Sequence, residues 1–321
     1  MRDNRFDNLK AFLIFSVVLC HLFELFPGTL KYRIYIFIYA FHMPLFIFIS
    51  GYFAKFNIKN ILTKLLYPYV IFQVIYCLFT GNRVQFLTPH WILWYLMCLI
   101  LWSLTFKIAD FKPFVLLIIS VGISIFAGYF EQIGKPLSLA RFFSFYPFFL
   151  MGYIAKKNNL LAFEFKGKKV VGILILVVSF LLTKAILPYI KTSWFYHSES
   201  YLSSGETPVW RFILTTIAVL WCVGFLFIAP KKKMPCITEI GQYSISIFLI
   251  HGLVVQGFKI YRNPFAFSEN MNLIFALLVS AVLCFALGNG FVFKLLSHLF
   301  VFPLQNAKNV VQYIVNKKRP R

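Results

Sequence analysis

An all-α, polytopic membrane fold of about ten transmembrane helices is the architecture this 321-residue sequence predicts. Three observations carry that prediction. Hydrophobic residues make up 60% of the chain, aromatics alone 20% with 41 Phe, and charged residues only 13%. A soluble domain holds about 25% charged residues. Long apolar runs recur along the chain, each near the ~20 residues a helix needs to cross ~30 Å of hydrocarbon. Lys and Arg concentrate after alternate runs, as topology charges do.

The runs fall near 11–27, 34–53, 62–80, 91–107, 113–130, 141–156, 170–190, 209–229, 242–258 and 272–293. They are too long and too uniformly apolar for the short alternating strands of a membrane barrel. The first follows a basic start, like a signal peptide. Asp3 and Asp7 interrupt that start, and Leu19 rather than a small residue precedes Cys20, so the run reads as an uncleaved helix. The second contains Pro44, which cannot donate a backbone bond and should kink or break the helix. Ser50 and Gly51 in the same run allow close helix packing. Lys55, Lys59 and Lys64 follow it; Lys107 and Lys112 follow the fourth run, and Lys231, Lys232 and Lys233 the eighth. The side that these clusters mark carries roughly twice the Lys and Arg of the other. Both termini are therefore expected in the cytoplasm.

The net charge is +22. No nucleic-acid partner is expected, because the basic residues punctuate apolar runs instead of forming one face. The cysteines form no C-x-x-C or metal-ligand spacing and read as packing residues. No segment outside the helices is long enough to fold alone, so residues 1–321 form one domain. Within it, 294–321 reads as a basic amphipathic cytoplasmic tail on the anionic leaflet.

Ionisable groups inside a membrane are costly and mark function. Lys10 and His21 are eleven residues apart, about 20° past three helical turns, so they share a face about 16.5 Å apart along the axis. Asp7 precedes Lys10 by three residues and Glu24 follows His21 by three, near the same stripe. A cation at the cytoplasmic edge and an imidazole deep in the bilayer suit a long ligand with a phosphate head and a reactive tip. The pantetheine arm of coenzyme A has a comparable length. His21 within reach of a hydroxyl acts as general base, and Glu24 orients its ring. His42, in FHMPLFIFISGYF, and His251, in YSISIFLIHG, fall near the same depth. A proton relay in a transporter of a glycan or small acid would use the same histidines. Zinc sites show tighter ligand spacing, so no metal is expected.

Arg141 and Arg211 open the sixth and eighth runs. Either could bind an anionic acceptor, with snorkelling to the interface the favoured reading. The longest outer segment, 188–208, holds Trp194, Tyr196, His197, Tyr201 and Glu206. It reads equally as a sugar-binding loop or as an interfacial aromatic belt.

RFDNLKAFLIFSVVLCH resembles the first helix of the membrane acyltransferase-3 family, whose signature is Arg or Lys, ten residues, then His. FHMPLFIFISGYF is similar to the family's second-helix block, and LTKLLYPYVIFQ, HWILWYL, FYPFFLMGY and YSISIFLIHG look like later blocks. The pattern is most similar to the fucose 4-O-acetylase-like branch. The resemblance implies transfer of an acyl group, usually acetyl from acetyl-CoA, to a hydroxyl of a sugar or lipid-linked glycan in a bacterial inner membrane. It implies the essential histidine role for His21 and the basic coenzyme A role for Lys10. Some relatives carry Arg-x-x-Arg near the third helix. Lys59 and Lys64 stand there at a different spacing, and Lys64 is the donor contact expected from that loop.

Overall fold

The computed structural model describes residues 3–26, 28–261 and 268–300. Among them every regular element is helical. Seven helical stretches are long and apolar enough to cross a membrane: Arg5–Phe23, Lys31–Phe53, Ile58–Phe79, Pro136–Lys157, Lys168–Tyr189, Pro208–Ile228 and Glu269–Leu287. Three shorter apolar stretches, Trp91–Leu104, Pro113–Tyr129 and Ser244–Ile260, occupy the remaining expected positions.

Helix α1 (Arg5–Phe23) is the centre of the fold. Within its apolar window 78% of residues are buried, against 17% for Lys168–Tyr189 and 22% for Glu269–Leu287, which lie at the periphery. It begins six residues before the expected start at 11, because its polar first turns are satisfied internally. Asn8 donates to the carbonyls of Pro230 and Lys232 at 2.8 and 3.0 Å and accepts from the Thr238 hydroxyl at 2.6 Å. Arg5 donates to the Leu161 carbonyl and pairs with Asp3. Each bond removes a desolvation cost that would otherwise push these groups to water.

The expected break at Pro44 is present. The second run divides into α2 (Thr29–Tyr39) and α3 (His42–Phe53). Proline at 44 has no N–H for the carbonyl of Ala40, and the chain leaves helical geometry at Phe41 (φ −130°, ψ −29°). Helix α3 then packs along α4 (Leu139–Lys157) at backbone contact. A Cβ on Gly51 would sit 1.9 Å from the Phe149 carbonyl oxygen, and one on Gly152 would sit 2.0 Å from that of Phe48. Small residues at a helix crossing permit this approach.

The expected run 272–293 ends earlier, at Leu287, and a separate helix, Gly290–Phe300, follows. The tail therefore departs before Lys294, and residues 301–321 of it lie outside the described residues. Five cysteines are buried and Cys236 is exposed; all six are free.

Candidate active site

The shared face of α1 opens onto a cavity of about 200 Å³. Lys10, Ile14, Val17 and His21 form its floor, at successive three- and four-residue steps. Phe46 and Ser50 of α3 and Tyr95, Ser244 and Phe248 from later helices close it. Lys10 stands at one end, paired with Asp7 at 2.8 Å. Ser50 donates within its own helix to the Phe46 carbonyl at 3.0 Å and lies 2.6 Å from the Tyr95 hydroxyl.

A second cavity of about 170 Å³ meets the first at His21. Met43, Ile92 and Trp94 also border both. The second is lined by Glu24, Tyr39, His42, Arg141, Phe195 and Tyr196, among others. His21 is the only ionisable residue common to the two linings. Its Nδ1 lies 3.0 Å from Glu24 Oε1. A carboxylate only accepts, so Nδ1 carries a proton, and in the neutral ring Nε2 is the acceptor. Glu24 is held from three directions: by His21, by the Tyr35 hydroxyl at 3.3 Å and by Lys259 at 3.2 Å. Trp91 packs edge-on against His21, ring centres 4.5 Å apart, and Lys259 lies 4.7 Å over the Trp91 ring.

His251 lies behind His21, ring centres 5.5 Å apart, and is fully buried. Its Nδ1 is 2.9 Å from the Ile247 carbonyl, and its Nε2 has no hydrogen-bond partner among the described residues. It supports the site from outside and lines neither cavity. His42 bonds the Ile38 carbonyl at 2.9 Å, at the helix break, and faces the second cavity. The break therefore places a functional candidate at the cavity wall, where irregular backbone in a membrane is tolerated.

Several expectations need correction. Asp7 is buried against Lys10 and Gln242 and lines neither cavity. Lys64 is exposed in the π-helical turn Ile61–Leu66, also outside both linings. Both arginines turn to protein partners. Arg211 is 1% exposed and bonds Glu206 through two nitrogens. Arg141 donates from Nε to the Tyr196 carbonyl at 3.0 Å and stacks 4.9 Å over Trp94. Within the segment 188–208, Trp194, Phe195 and Tyr201 pack inward. Tyr196 bonds Tyr35 hydroxyl to hydroxyl at 2.7 Å and roofs the second cavity with Phe195, while Trp194 is buried and donates to the Ser204 carbonyl.

Lys259, Tyr35, Tyr39, Trp94 and Tyr95 escape sequence reasoning. Aromatic residues are too common here for any one to stand out, and Lys259 reads as an ordinary charge at a helix end. A weak signal existed: Lys259 lies eight residues after His251, about 80° round the same helix.

No curated protein and no solved structure matches the chain. The family described as "Acyltransferase domain" matches it over residues 3–289, from the start of α1 to the end of the last long helix. The chain, with its membrane-length helices gathered around a partly buried His–Glu pair, belongs to that family and is a multi-pass membrane acyltransferase.

Proposed function

We propose that the protein is an O-acyltransferase that moves an acetyl group from acetyl-CoA to a hydroxyl of a cell-surface sugar or lipid-linked glycan in a bacterial inner membrane. Ten crossings with both termini in the cytoplasm fit this reading. The three shorter apolar helices stand where the sequence requires crossings, and basic clusters mark alternate loops. The observation that carries the reading is the position of His21, where two cavities meet, with Lys10 at the far end of one and Glu24 at its back.

In this account the donor enters the Lys10 cavity. Lys10 attracts its phosphates from the cytoplasmic edge, and the apolar stripe Ile14–Val17 accommodates the arm, so the thioester reaches His21. The acceptor hydroxyl enters the Arg141 cavity. Its proton passes to His21 Nε2 as its oxygen bonds the thioester carbonyl carbon. The C–S bond then breaks, and the sulfur leaves with the proton returned from the imidazolium. Glu24 holds Nδ1–H throughout and stabilises the charged ring.

The test is transfer of label from radiolabelled acetyl-CoA into a membrane glycan fraction by purified protein without any gradient. Label that appears with wild type and disappears with His21→Ala at matched folding supports the reading. Equal labelling by both rejects His21 as the base. An unlabelled wild-type reaction with a broad acceptor pool favours the transporter reading, in which the histidines relay protons.

A further inference from the structure

Two arginines stand near the segment 188–208, and the fold treats them differently. Arg211 is sealed and compensated: Glu206 takes two of its nitrogens, the Ser124 carbonyl a third, and the Tyr201 ring covers its face at 4.6 Å. Arg141 spends only Nε on the protein, on the Tyr196 carbonyl. No carboxylate lies within ion-pair distance of it among the described residues. Glu199, on the same outer segment, is exposed and attracts Arg141 at longer range, without an ion pair between them among the described residues. Glu24, the carboxylate in the same cavity, is already engaged by His21, Tyr35 and Lys259. The two terminal nitrogens of Arg141 therefore have no protein partner among the described residues, and the side chain lines the cavity that His21 faces.

A guanidinium inside a membrane protein is costly unless an anion or water compensates it, and such groups mark substrate paths. Its planar fork matches a carboxylate or phosphate with two parallel bonds. Here the fork is held in one orientation, by the Tyr196 carbonyl at one edge and the Trp94 ring at its face. Tyr39, Trp91 and Tyr196 supply the aromatic walls that a sugar ring packs against.

We infer that the Arg141 cavity is an anion-selecting acceptor site: the acceptor carries a carboxylate or phosphate that binds the Arg141 fork while its hydroxyl faces His21. The inference rests on the acyl-transfer reading for the role of the occupant, but the anion preference can be measured separately.

The experiment uses the purified full chain in nanodiscs with three small acceptors: methyl glucuronoside, its methyl ester, and glucose 6-phosphate. The ester keeps the hydroxyls and loses the charge. Wild type should use the glucuronoside or the phosphate at least about tenfold better than the ester in kcat/KM, the gain expected of a charge-assisted pair. Whichever ratio is larger identifies the anionic group. In Arg141→Gln that ratio should fall to within about twofold of one, and Arg141→Lys, a point charge without the fork, should fall between. Equal use of ester and anions by wild type overturns the inference. So does an unchanged ratio in Arg141→Gln, which is what a general structural or oxyanion role would produce.

Equilibrium binding of the glucuronoside without donor separates the two readings. Arg141-dependent binding without acyl transfer from any acyl-CoA sinks the acyl-transfer reading and leaves the anion site standing. Transfer without charge preference does the reverse. If Arg141→Gln does not purify as a folded species, Arg141→Lys carries the same comparison.

Discussion

The two cavities that meet at His21 are built differently. The Lys10 cavity has its floor on a single helix, with Lys10, Ile14, Val17 and His21 along one stripe and walls from α3, the helix after Trp91 and Ser244–Ile260, and its cation is already paired with Asp7. The Arg141 cavity is assembled from α1, the broken second span, α4, the helix after Trp91 and the outer segment 188–208, and its cation has no such partner among the described residues. The first has the form of a narrow apolar slot for one long molecule. The second has the mixed aromatic and charged walls of a recognition site.

Replacing His21 by Ala removes the group shared by both cavities. Acyl transfer should fall by about 10²–10⁴, the range for a general base, with melting temperature preserved. A fall of less than about threefold would mean that the junction is not the reacting centre. Next, Arg211→Met strands Glu206 in a buried site and should cost about 3–5 kcal/mol of stability, seen as a lowered midpoint in thermal or denaturant unfolding. Arg141→Met should cost far less, because it orphans no carboxylate. Equal losses would show that Arg141 is a structural residue like Arg211.

Lys10→Met should raise KM for acetyl-CoA by about tenfold while changing kcat less, since a group that binds the donor's phosphates contributes to binding before and during reaction alike. A kcat effect alone would move Lys10 from the donor's head to the chemistry. The smallest effect is expected at Glu164, outside both cavities. Lys231 first, then Lys168, hold its carboxyl below the usual range. The pairing therefore persists above the ordinary carboxylate pKa and is lost only as pH falls through the depressed folded value. Glu164→Gln should leave transfer rates within about twofold at neutral pH, as exposed ion pairs contribute little. A larger loss would tie the loop that carries Glu164 to donor entry.

The same contrast explains what was legible before the structure. The Lys10–His21 stripe follows from helical periodicity, because both ends lie on one uninterrupted helix and eleven residues return to the same face. Glu24 beside His21 and the break near Pro44 are equally local. The Arg141 cavity depends on contacts between residues 24, 39, 94, 141 and 196, and no local pattern reports those. Arg141 and Arg211 look alike in sequence, each at the start of an apolar run. Only the placement of Glu206 beside one of them separates a sealed structural charge from an open one. Helix ends were misjudged where polar side chains found partners inside the protein: Asn8 and Arg5 extend α1 backward because the loop at 230–238 and the Leu161 carbonyl receive them.

The central claim is that donor and acceptor approach His21 through different cavities. Its most direct test is steady-state kinetics of Lys10→Met and Arg141→Gln with acetyl-CoA and an anionic sugar each varied in turn. A KM increase for acetyl-CoA is expected only in the Lys10 variant, and a KM increase for the anionic acceptor only in the Arg141 variant. Both constants rising together in either variant, or the two effects exchanged, would contradict it.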